Sequence, residues 1–306
     1  MKGCLYFNLE YQNAFVLDYY HITCNDYNNI TNMLCYGTNE GSLIFSCTRL
    51  IHDSNEIKFT NRNITDVPIY NVNWLDDTRI GVSFADSMFV IFDVQSDKII
   101  SYEDDSGTVR YIKKYNDKIF YTCGRNKCAS AWDIRTMDRI KTLEHENTVT
   151  CVEFHTTNKN LIYTTSTPGT IVHYWDLRYT KNGKNYATKK TISNSFCREL
   201  FFYKNNLYSK NIISSLHKIS QTAKYKNILF KYNSPSYCGS ISYNERYDCL
   251  LTSVGDDVYC INNKECKKNR INVPNDTIGC VSYSDHSLLL NNAQNVFLYK
   301  LNPEIN

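Results

Sequence analysis

A short apolar segment that ends at a polar residue recurs roughly every 40 residues along the chain. Its two clearest copies are residues 129–135, Ala-Ser-Ala-Trp-Asp-Ile-Arg, and residues 172–178, Val-His-Tyr-Trp-Asp-Leu-Arg. Because repeats of roughly 20 to 50 residues indicate stacked supersecondary units, this repeat limits the possible folds more than any local feature does. Seven positions align with the aspartate of the two copies: Ser46, Asp93, Asp133, Asp176, His217, Asn262 and Lys300.

Each copy of the repeat contains further apolar segments upstream of this one. A pattern with apolar residues at positions i, i+3 and i+5 precedes most copies, as at Val149, Val152 and Phe154. Between the two patterns lies another short apolar run, such as residues 161–163. A helical repeat would need apolar residues at a 3.6-residue period, which these segments lack. The repeat therefore predicts short β-strands, three in each unit and a fourth that leads into the next unit.

A repeat of this length with a Trp-Asp dipeptide resembles the WD40 repeat. The resemblance implies an all-β fold, a seven-bladed WD40 β-propeller in which each four-stranded blade is covered by its two neighbours. The last repeat supplies three strands, so we expect an N-terminal strand over residues 4–9 to pair with it and close the ring. We expect one domain over residues 1–306, with blades at approximately 10–58, 64–104, 106–144, 147–192, 195–233, 236–274, and 276–306 together with 3–9.

WD40 repeats commonly bury a hydrogen-bond network of histidine, aspartate and tryptophan. His145 occupies the loop position of that histidine, but the turn that would hold its aspartate reads Thr167-Pro168-Gly169. Most repeats of this chain lack both residues. We therefore expect apolar packing to contribute more to this fold than polar networks do.

The composition bounds the cellular setting and the kind of partner. The 306 residues are 42% hydrophobic and 21% charged, which is enough apolar mass for a substantial core. No apolar run approaches the roughly 18 residues of a membrane-spanning helix, and the first residues become polar too soon for a secretory signal. We expect a nuclear or cytoplasmic protein without a membrane partner. The formal net charge of +3 is near balance and by itself points to neither a nucleic acid nor a membrane, so we predict no direct nucleic-acid partner.

The 13 cysteines are scattered singly along the chain, and none forms a C-x-x-C pair. This distribution predicts reduced thiols that pack as small apolar side chains. The closest pairs, Cys123 with Cys128 and Cys260 with Cys266, lack the ligand spacing of zinc sites and have no paired histidines nearby. We expect neither a structural metal nor a cofactor.

Catalytic motifs are not evident in the sequence. It contains no G-x-S-x-G, no H-E-x-x-H and no phosphate-binding loop. The carboxylate pairs at 76–77, 104–105 and 256–257 fall in predicted turns, where aspartate commonly bonds the backbone. His173 alternates with apolar neighbours and is predicted to be packed rather than to act as a base. A non-enzyme is therefore predicted, and a hydrolase similar to the propeller enzyme diphthine methylesterase is the minor alternative, because no nucleophile can be identified.

Both Trp-Asp dipeptides are followed, two residues after the aspartate, by an arginine. Strand alternation places residues i and i+2 on one side, so we expect Asp133 with Arg135, and Asp176 with Arg178, to present a carboxylate beside a forked donor. The planar guanidinium suits an interface anchor. The arrangement resembles the W-D-x-R box of substrate receptors of cullin-4 RING ubiquitin ligases. The resemblance implies that the adaptor propeller of such a ligase docks on these four residues.

The resemblance extends over about residues 30–265 to the denticleless-type receptors of this ligase, through the segments 32–43, 119–125 and 149–179. It implies that a protein substrate binds at the opposite face through basic residues, for which Arg125 and Lys127 are surface candidates. The alternative is a general WD-repeat scaffold subunit of a chromatin, RNA-processing or trafficking complex, in which the box arginines are incidental. In both cases we expect a monomeric propeller within a hetero-complex.

Two clusters of basic residues stand outside the boxes. Interleaved aromatic residues that would stack unpaired bases are not visible in either. Solvated loops are the favoured interpretation, and a surface for an acidic partner is the alternative. The clusters are Lys264, Lys267, Lys268 and Arg270 in a loop after the third strand of the sixth blade, and Arg125, Lys127, Lys189, Lys190 and Lys210 around the third to fifth blades.

Overall fold

In the residues that the computed structural model describes, the regular structure is β-strand. The structure describes residues 6–16, 21–47, 59–86, 88–103, 108–181, 184–204, 206–211, 215–220, 226–231, 238–244, 248–254, 257–261, 266–270, 279–284, 287–291 and 295–304. In chain order the strands are β1 (Tyr6–Val16), β2 (Ile22–Asn28), β3 (Met33–Thr38), β4 (Ser42–Cys47), β5 (Phe59–Asn63), β6 (Ile69–Trp74), β7 (Arg79–Phe84), β8 (Met88–Asp93), β9 (Lys98–Glu103), β10 (Val109–Lys114), β11 (Ile119–Gly124), β12 (Cys128–Asp133), β13 (Arg139–Glu144), β14 (Val149–Phe154), β15 (Leu161–Ser166), β16 (Thr170–Lys181), β17 (Lys184–Ser193), β18 (Cys197–Tyr203), β19 (Asn206–Asn211), β20 (Ser215–Ser220), β21 (Lys226–Lys231), β22 (Cys238–Asn244), β23 (Cys249–Val254), β24 (Asp257–Ile261), β25 (Cys266–Arg270), β26 (Gly279–Ser284), β27 (Ser287–Asn291) and β28 (Asn295–Glu304).

These strands form seven four-stranded sheets, and the chain has two compact units. The unit Tyr70–Pro235 contains the sheets β6-β7-β8-β9, β10-β11-β12-β13, β14-β15-β16-β17 and β18-β19-β20-β21. The unit Met1–Ile69 with Ser236–Asn306 contains the sheets β2-β3-β4-β5, β22-β23-β24-β25 and β1-β28-β27-β26. Six of the sheets consist of four consecutive strands, as the repeat predicts. The closed seven-bladed ring and the single domain stay predictions.

The N-terminal strand pairs with the last strand of the chain, as predicted. β1 runs antiparallel to β28, from Tyr6 opposite Glu304 to Val16 opposite Asn295. Its bounds differ from the prediction, which gave this strand residues 4–9 and gave the residues after them to the first blade. The strand is longer because Leu9 already lies opposite Leu301, so pairing with the rest of β28 down to Asn295 extends β1 to Val16, with a bulge between Tyr11 and Asn13.

The core of the Tyr70–Pro235 unit lies between successive sheets. The second strand of each sheet is buried along nearly its whole length, as in β11 and β15. Sheets β10–β13 and β14–β17 enclose one apolar cluster that includes Tyr121, Leu143 and Val152. A strand buried on both faces needs a covering layer on each side. The stacking of neighbouring sheets supplies those layers within this unit.

The first strands of neighbouring sheets are joined by side chains instead of a backbone ladder. Asn71 Oδ1 on β6 accepts the backbone N–H of Ile112 on β10 at 2.8 Å. Asn73 Oδ1 accepts that of Lys114 at 2.7 Å. An edge strand leaves a row of amide groups without ladder partners, and these asparagines satisfy two of them. The contact also fixes the register between the two sheets.

Candidate functional site

The two tryptophans of the Trp-Asp-x-Arg boxes have the same structural role. Trp132 in the first box (residues 132–135) donates its indole N–H to Thr122 Oγ1 at 2.8 Å. Trp175 in the second box (residues 175–178) donates to Thr164 Oγ1, also at 2.8 Å. Both indoles are buried between sheets. Each tryptophan therefore anchors the third strand of its sheet and determines where the following aspartate leaves the sheet.

The first box ends in a closed turn. Asp133 is the last residue of β12, and its Oδ1 accepts the backbone N–H of Arg135 at 2.8 Å and of Thr136 at 3.0 Å. The backbone N–H of Asp133 donates to the carbonyl of Asp138 at 2.9 Å. The amides of Thr136 and Arg135 hold the pKa of the Asp133 carboxyl below its ordinary value. This carboxylate is therefore engaged by its own turn.

The side chain of Arg135 is exposed. The expectation that Asp133 and Arg135 lie on one side of a strand assumed that β12 continues through the box. Residues 134–136 form a turn instead, so the two-residue alternation does not apply there. Among the described residues, none forms a hydrogen bond or an ion pair with the Arg135 guanidinium. This arginine is thus available to a partner.

The second box forms the predicted carboxylate–guanidinium pair. Asp176 and Arg178 both lie within β16, which continues to Lys181. Asp176 Oδ1 accepts Arg178 Nε–H at 2.9 Å, and Oδ2 accepts Nη2–H at 2.7 Å. The side-chain hydrogen bonds from Arg178 lower the pKa of the Asp176 carboxyl to about 2. The Arg178 side chain remains 64% exposed, so the pair is presented at the surface.

An irregularity in the β16–β17 ladder produces this difference. Trp175 pairs with Ala187, and the next pair is Thr180 with Asn185. Residues 176–179 of β16 therefore lie opposite a single position of β17. Such a bulge bends its strand and changes the direction of its side chains. The aspartate and arginine of the second box meet within this bulge.

Both boxes lie at the same end of two neighbouring sheets. The backbone N–H of Ile134 donates to the carbonyl of Lys118, and that of Leu177 donates to the carbonyl of Asn160, both at 2.8 Å. Each acceptor precedes the second strand of its own sheet, so the two boxes occupy equivalent positions. Within the Tyr70–Pro235 unit, Arg135 and Arg178 are therefore exposed on one end of adjacent sheets.

The other two candidates lie at the opposite end of the first-box sheet. Arg125 and Lys127 flank the turn between β11 and β12, and both side chains are exposed. Lys127 has a positive φ of 60°, which the tight turn requires. Six residues of β12, at about 3.3 Å each, separate this turn from Asp133 by about 20 Å. This sheet thus exposes Arg125 and Lys127 at one end and Arg135 at the other.

The predicted basic clusters are only partly surface features. Lys210 is 1% exposed within β19, so its assignment to a surface cluster is wrong. It lies in the second strand of its sheet, where β18 and β20 flank it. Lys189 lies 2.5 Å from Glu146 in an exposed ion pair. Residues 267–270 belong to strand β25 instead of a loop, and Lys264 lies outside the described residues.

One aspartate of the predicted turn pairs has the expected backbone role. Asp76 Oδ1 accepts the backbone N–H of Thr78 at 3.0 Å and of Arg79 at 2.7 Å. The Arg79 guanidinium also pairs with the Asp76 carboxylate and donates to the carbonyl of Ile134 at 2.8 Å. The turn interpretation is confirmed for Asp76. Residues 104–105 and Asp256 lie outside the described residues.

A hydrogen-bond network connects to Trp175 without the aspartate that WD40 repeats usually carry. His145 Nδ1–H donates to the carbonyl of Leu143 at 2.9 Å, so its Nε2 accepts the hydroxyl of Thr164 at 2.7 Å. The same hydroxyl oxygen accepts the Trp175 indole N–H. Burial lowers the pKa of His145 to about 3. The missing aspartate had suggested that no such network forms here, yet three neutral groups form one in the second-box sheet.

His173 extends this network and also bears on the hydrolase alternative. Its Nε2 lies 2.7 Å from Ser166 Oγ, and its ring centroid lies 4.6 Å from that of His145. A serine beside a histidine can act as an activated nucleophile. Both residues are 3% exposed, however, so a substrate does not reach the hydroxyl. Burial lowers the pKa of His173 to about 4, in agreement with the predicted packing role.

A buried ion pair was missed at the sequence level. Lys113 on β10 pairs with Glu153 on β14, and its Nζ lies 5.8 Å from the ring centroid of Phe201 on β18. Burial lowers the pKa of Lys113, but the Glu153 carboxylate outweighs burial and the pKa is raised. The repeat contained a signal for this pair, because Lys113 and Glu153 have the same offset from Val109 and Val149. The pair connects three successive sheets.

In the described ranges, no group of three or more His, Cys, Asp or Glu side chains is placed to hold a metal ion. No helix in the described part of the chain has the length and apolar character that crossing a membrane would require. The described cysteines, among them Cys35, Cys123 and Cys151, are reduced thiols that form no disulfide bond with one another.

Comparisons with known proteins give the fold. No family model and no curated protein sequence matches the chain. A chain in a solved structure titled "Crystal Structure of Mitotic Checkpoint Complex" is similar, with a TM-score of 0.75 and 14% sequence identity, over 96% of this chain and 93% of that chain. A total of 1629 chains of solved structures resemble this one, so the likeness is to a widespread architecture. The chain has an all-β fold of the propeller type.

Proposed function

We propose that this protein is a non-catalytic protein-interaction propeller of the WD40 type. Its seven four-stranded sheets correspond to seven blades of one closed ring, which forms a single domain. The Trp–Thr hydrogen bonds at the ends of two third strands support the WD40 assignment. A propeller supplies a rigid framework whose connecting turns bind other proteins.

Its specific role is that of a substrate receptor of a cullin-4 RING ubiquitin ligase. Asp133, Arg135, Asp176 and Arg178 dock on the adaptor propeller of the ligase. The observation that carries this proposal is the exposure of Arg135 and Arg178 at the same end of adjacent sheets. Arginine is a common interface hot spot because its planar fork binds carboxylates and carbonyls with little loss of freedom.

The substrate binds at the other end of the sheets. Arg125 and Lys127 are exposed there, about 20 Å from the first box by the length of β12. The two partners therefore do not compete for one surface. A nuclear or cytoplasmic location accompanies this role, and the propeller acts as a monomer within the hetero-complex.

A general scaffold subunit is the second candidate, and a specific observation favours it. Both aspartates are already engaged within the chain, Asp133 by its own turn and Asp176 by Arg178. The boxes thus have a complete structural role without a partner. The similar solved structure is, by its title, part of a complex. In a scaffold role, the partner is another multiprotein assembly instead of the ligase adaptor.

Binding of the purified adaptor propeller separates the two candidates. Truncation of a hydrogen-bonded interface charge typically costs roughly 2 to 5 kcal/mol, which is enough to dissociate a micromolar complex. We expect the wild type to bind the adaptor and the Arg135→Ala/Arg178→Ala variant to lose binding. The control is Arg125→Ala, which removes an exposed arginine at the opposite end and should bind normally.

Thermal melting establishes that each variant is folded. A folded double variant that binds the adaptor as tightly as the wild type contradicts docking through the boxes. A wild type that does not bind the adaptor contradicts the receptor role and leaves the scaffold.

A further inference from the structure

The first strands of three successive sheets have a bulge at the same position. In the ladder between β10 and β11, Arg110 lies between two successive residue pairs and has no pair of its own. Thr150 in β14 and Arg198 in β18 occupy the equivalent bulges. A bulge changes the direction of the side chain of its extra residue, and bulges are common next to functional sites. The contacts of these side chains therefore bear on binding.

Arg110 lacks the hydrogen-bond partner that Thr150 has in its own sheet. The Thr150 hydroxyl lies 2.7 Å from Thr165 Oγ1 on the adjacent strand. The Nε–H of Arg110 is covered and has no hydrogen-bond acceptor. Among the described residues, none forms an ion pair with this guanidinium. Because a covered donor without an acceptor costs free energy, an acceptor supplied by a partner would stabilise this side chain.

The ring of Tyr70 orients this guanidinium. Tyr70 lies on β6, the first strand of the preceding sheet, and is 44% exposed. Arg110 Cζ lies 5.6 Å from the centroid of its ring. A cation–π contact holds a guanidinium in place without neutralising its charge. An oriented planar fork loses less freedom when it binds a carboxylate, so the pair is suited to an anionic ligand.

Arg110 lies at the end of the sheet that we assign to the substrate. The backbone N–H of Arg125 donates to the carbonyl of Thr108 at 2.8 Å, which places the β11–β12 turn beside the start of β10. The exposed Arg125 and Lys127 of that turn therefore lie at the same end as Arg110. Three cations of one sheet thus share this end.

The first strands of this unit do not balance the positive charge at this end. The second residues of β6, β10, β14 and β18 are tyrosine, arginine, threonine and arginine. The acidic residues of these four strands are Glu153 and Glu199, and their charges act on Lys113, whose pKa they raise. Glu153 also forms an ion pair with Lys113. An anionic ligand can therefore reach Arg110 without facing a carboxylate at the same position of a neighbouring first strand.

We infer that Arg110, oriented by Tyr70, is the anchor of a binding site for an acidic peptide segment and binds one side-chain carboxylate of that segment. Arg125 and Lys127 attract further carboxylates of the same segment. The inference rests on the proposed function where it assigns this segment to the substrate. The geometry favours a peptide over a nucleic acid. An unpaired base needs an aromatic face for stacking, and the guanidinium already lies over the Tyr70 ring.

The test measures binding of the full-length protein to a short synthetic peptide of alternating glutamate and glycine. A peptide with glutamine in place of glutamate and a short single-stranded DNA are the comparison probes. Arg110→Gln removes the charge of the anchor. Lys118→Gln removes one charge from the exposed turn at the other end of the β10–β11 hairpin and is the matched control.

We expect Arg110→Gln to bind the glutamate peptide at least about tenfold more weakly than the wild type, because it loses a forked, charged donor. Lys118→Gln should bind it about as well as the wild type, and the glutamine peptide should bind none of the proteins measurably. The loss in Arg110→Gln should shrink at high salt.

A second pair of variants tests the site without changing the partly buried arginine. Tyr70→Leu removes the aromatic ring, whereas Tyr70→Phe keeps the ring and removes the hydroxyl. Loss of the cation–π contact should weaken peptide binding roughly threefold in the leucine variant, and the phenylalanine variant should bind like the wild type. Thermal melting shows which variants fold. If Arg110→Gln does not fold, equal peptide binding by the two Tyr70 variants overturns the inference.

The outcomes separate this inference from the proposed function. Equal peptide binding by folded Arg110→Gln and Lys118→Gln overturns the inference, and so does a wild type that binds neither peptide or both equally. DNA binding that exceeds peptide binding and depends on Arg110 shows a nucleic-acid site and overturns it too. Arg110→Gln should bind the purified adaptor like the wild type, because the boxes lie at the other end. If the wild type binds the peptide through Arg110 but does not bind the adaptor, the peptide site stands and the receptor function is wrong.

Discussion

The first and second boxes share the sequence pattern Trp-Asp-x-Arg, yet they present their arginines differently. In both, the indole donates to a buried threonine of the neighbouring strand. In the first box the carboxylate accepts backbone amides and leaves Arg135 exposed. In the second box the carboxylate holds Arg178 through both of its oxygens. The tryptophan thus fixes the end of the third strand in both boxes. The connection that follows determines whether the aspartate bonds its own turn or the arginine.

The length of the connection accounts for the difference. Trp132 pairs with Arg139, whereas Trp175 pairs with Ala187. The short connection must reverse the chain at once, and the Asp133 carboxylate satisfies the amides of that turn. The long connection continues as two paired strands, with β16 reaching Lys181 and β17 starting at Lys184. The Asp176 carboxylate can therefore accept the side chain of Arg178. Variants that act on one box and not the other can test this account.

The largest effect is expected from loss of an anchor. Trp132→Ala and Trp175→Ala each remove a buried indole and leave a cavity between sheets, at a cost of about 3 to 5 kcal/mol in the free energy of unfolding. Both losses should be similar in size, because the anchors are equivalent. Urea unfolding measures them. A loss below about 1 kcal/mol in either variant would show that the indole is not an anchor there.

The second-largest effect is a loss of stability at low pH, and it is specific to the histidines around the second-box sheet. Burial lowers the pKa of His145 to about 3 and of His173 to about 4, below the ordinary value of 6.5. The neutral forms are favoured in the folded state, so this stability is fully present above pH 6.5. It is lost as the pH falls from 6.5 towards 4, because the unfolded chain binds protons that the folded chain does not. At pH 5 the loss is about 2 kcal/mol for each histidine.

Urea unfolding at pH 7.5 and pH 5 measures this loss. The matched variant His145→Gln/His173→Gln removes both titrating rings and should lose less stability between the two pH values. If wild type and variant have the same pH dependence, the two histidines do not titrate as buried neutral groups.

These two effects also mark what the sequence could and could not predict. The period of about 40 residues is visible because every sheet repeats the same burial requirement, so strands, sheets and the closing strand β1 follow from it. The tryptophan anchors follow from the same repeat. The role of each arginine does not follow from the repeat. It depends on the bulge in β16, and the position of that bulge is set by how β16 and β17 pair, which the sequence pattern does not reveal.

The network around His145 was missed for a related reason. The sequence contains the histidine at its loop position, and the missing aspartate suggested that the network was absent. In the structure the carbonyl of Leu143 takes the place of that aspartate as the acceptor for Nδ1–H. A backbone carbonyl carries no sequence signature, so the substitution cannot be recognised from residue types. The Lys113–Glu153 pair likewise required knowledge that two first strands are neighbours.

A smaller effect is expected from loss of the turn carboxylate. Asp133→Ala removes the acceptor for two backbone amides of the closed turn, whereas Asp176→Ala removes one amide contact and an exposed ion pair. Asp133→Ala should therefore lower the melting temperature more than Asp176→Ala, and both should lower it less than the tryptophan variants. Thermal melts of the wild type and the four variants measure the order. An equal or reversed order for the two aspartates would show that the two connections do not differ in their use of the carboxylate.

The smallest effect is a change in the pKa of the two box aspartates, and it distinguishes the boxes most directly. The pKa of Asp176 is about 2 chiefly because the Arg178 side chain bonds its carboxylate, so Arg178→Ala should raise that pKa towards its ordinary value. The pKa of Asp133 is lowered chiefly by backbone amides, so Arg135→Ala should change it little. Carboxyl carbon NMR titration of both variants measures the two values. A rise at Asp133 as large as the rise at Asp176 would mean that Arg135 pairs with its aspartate in solution, and the two boxes would then present the same group to a partner.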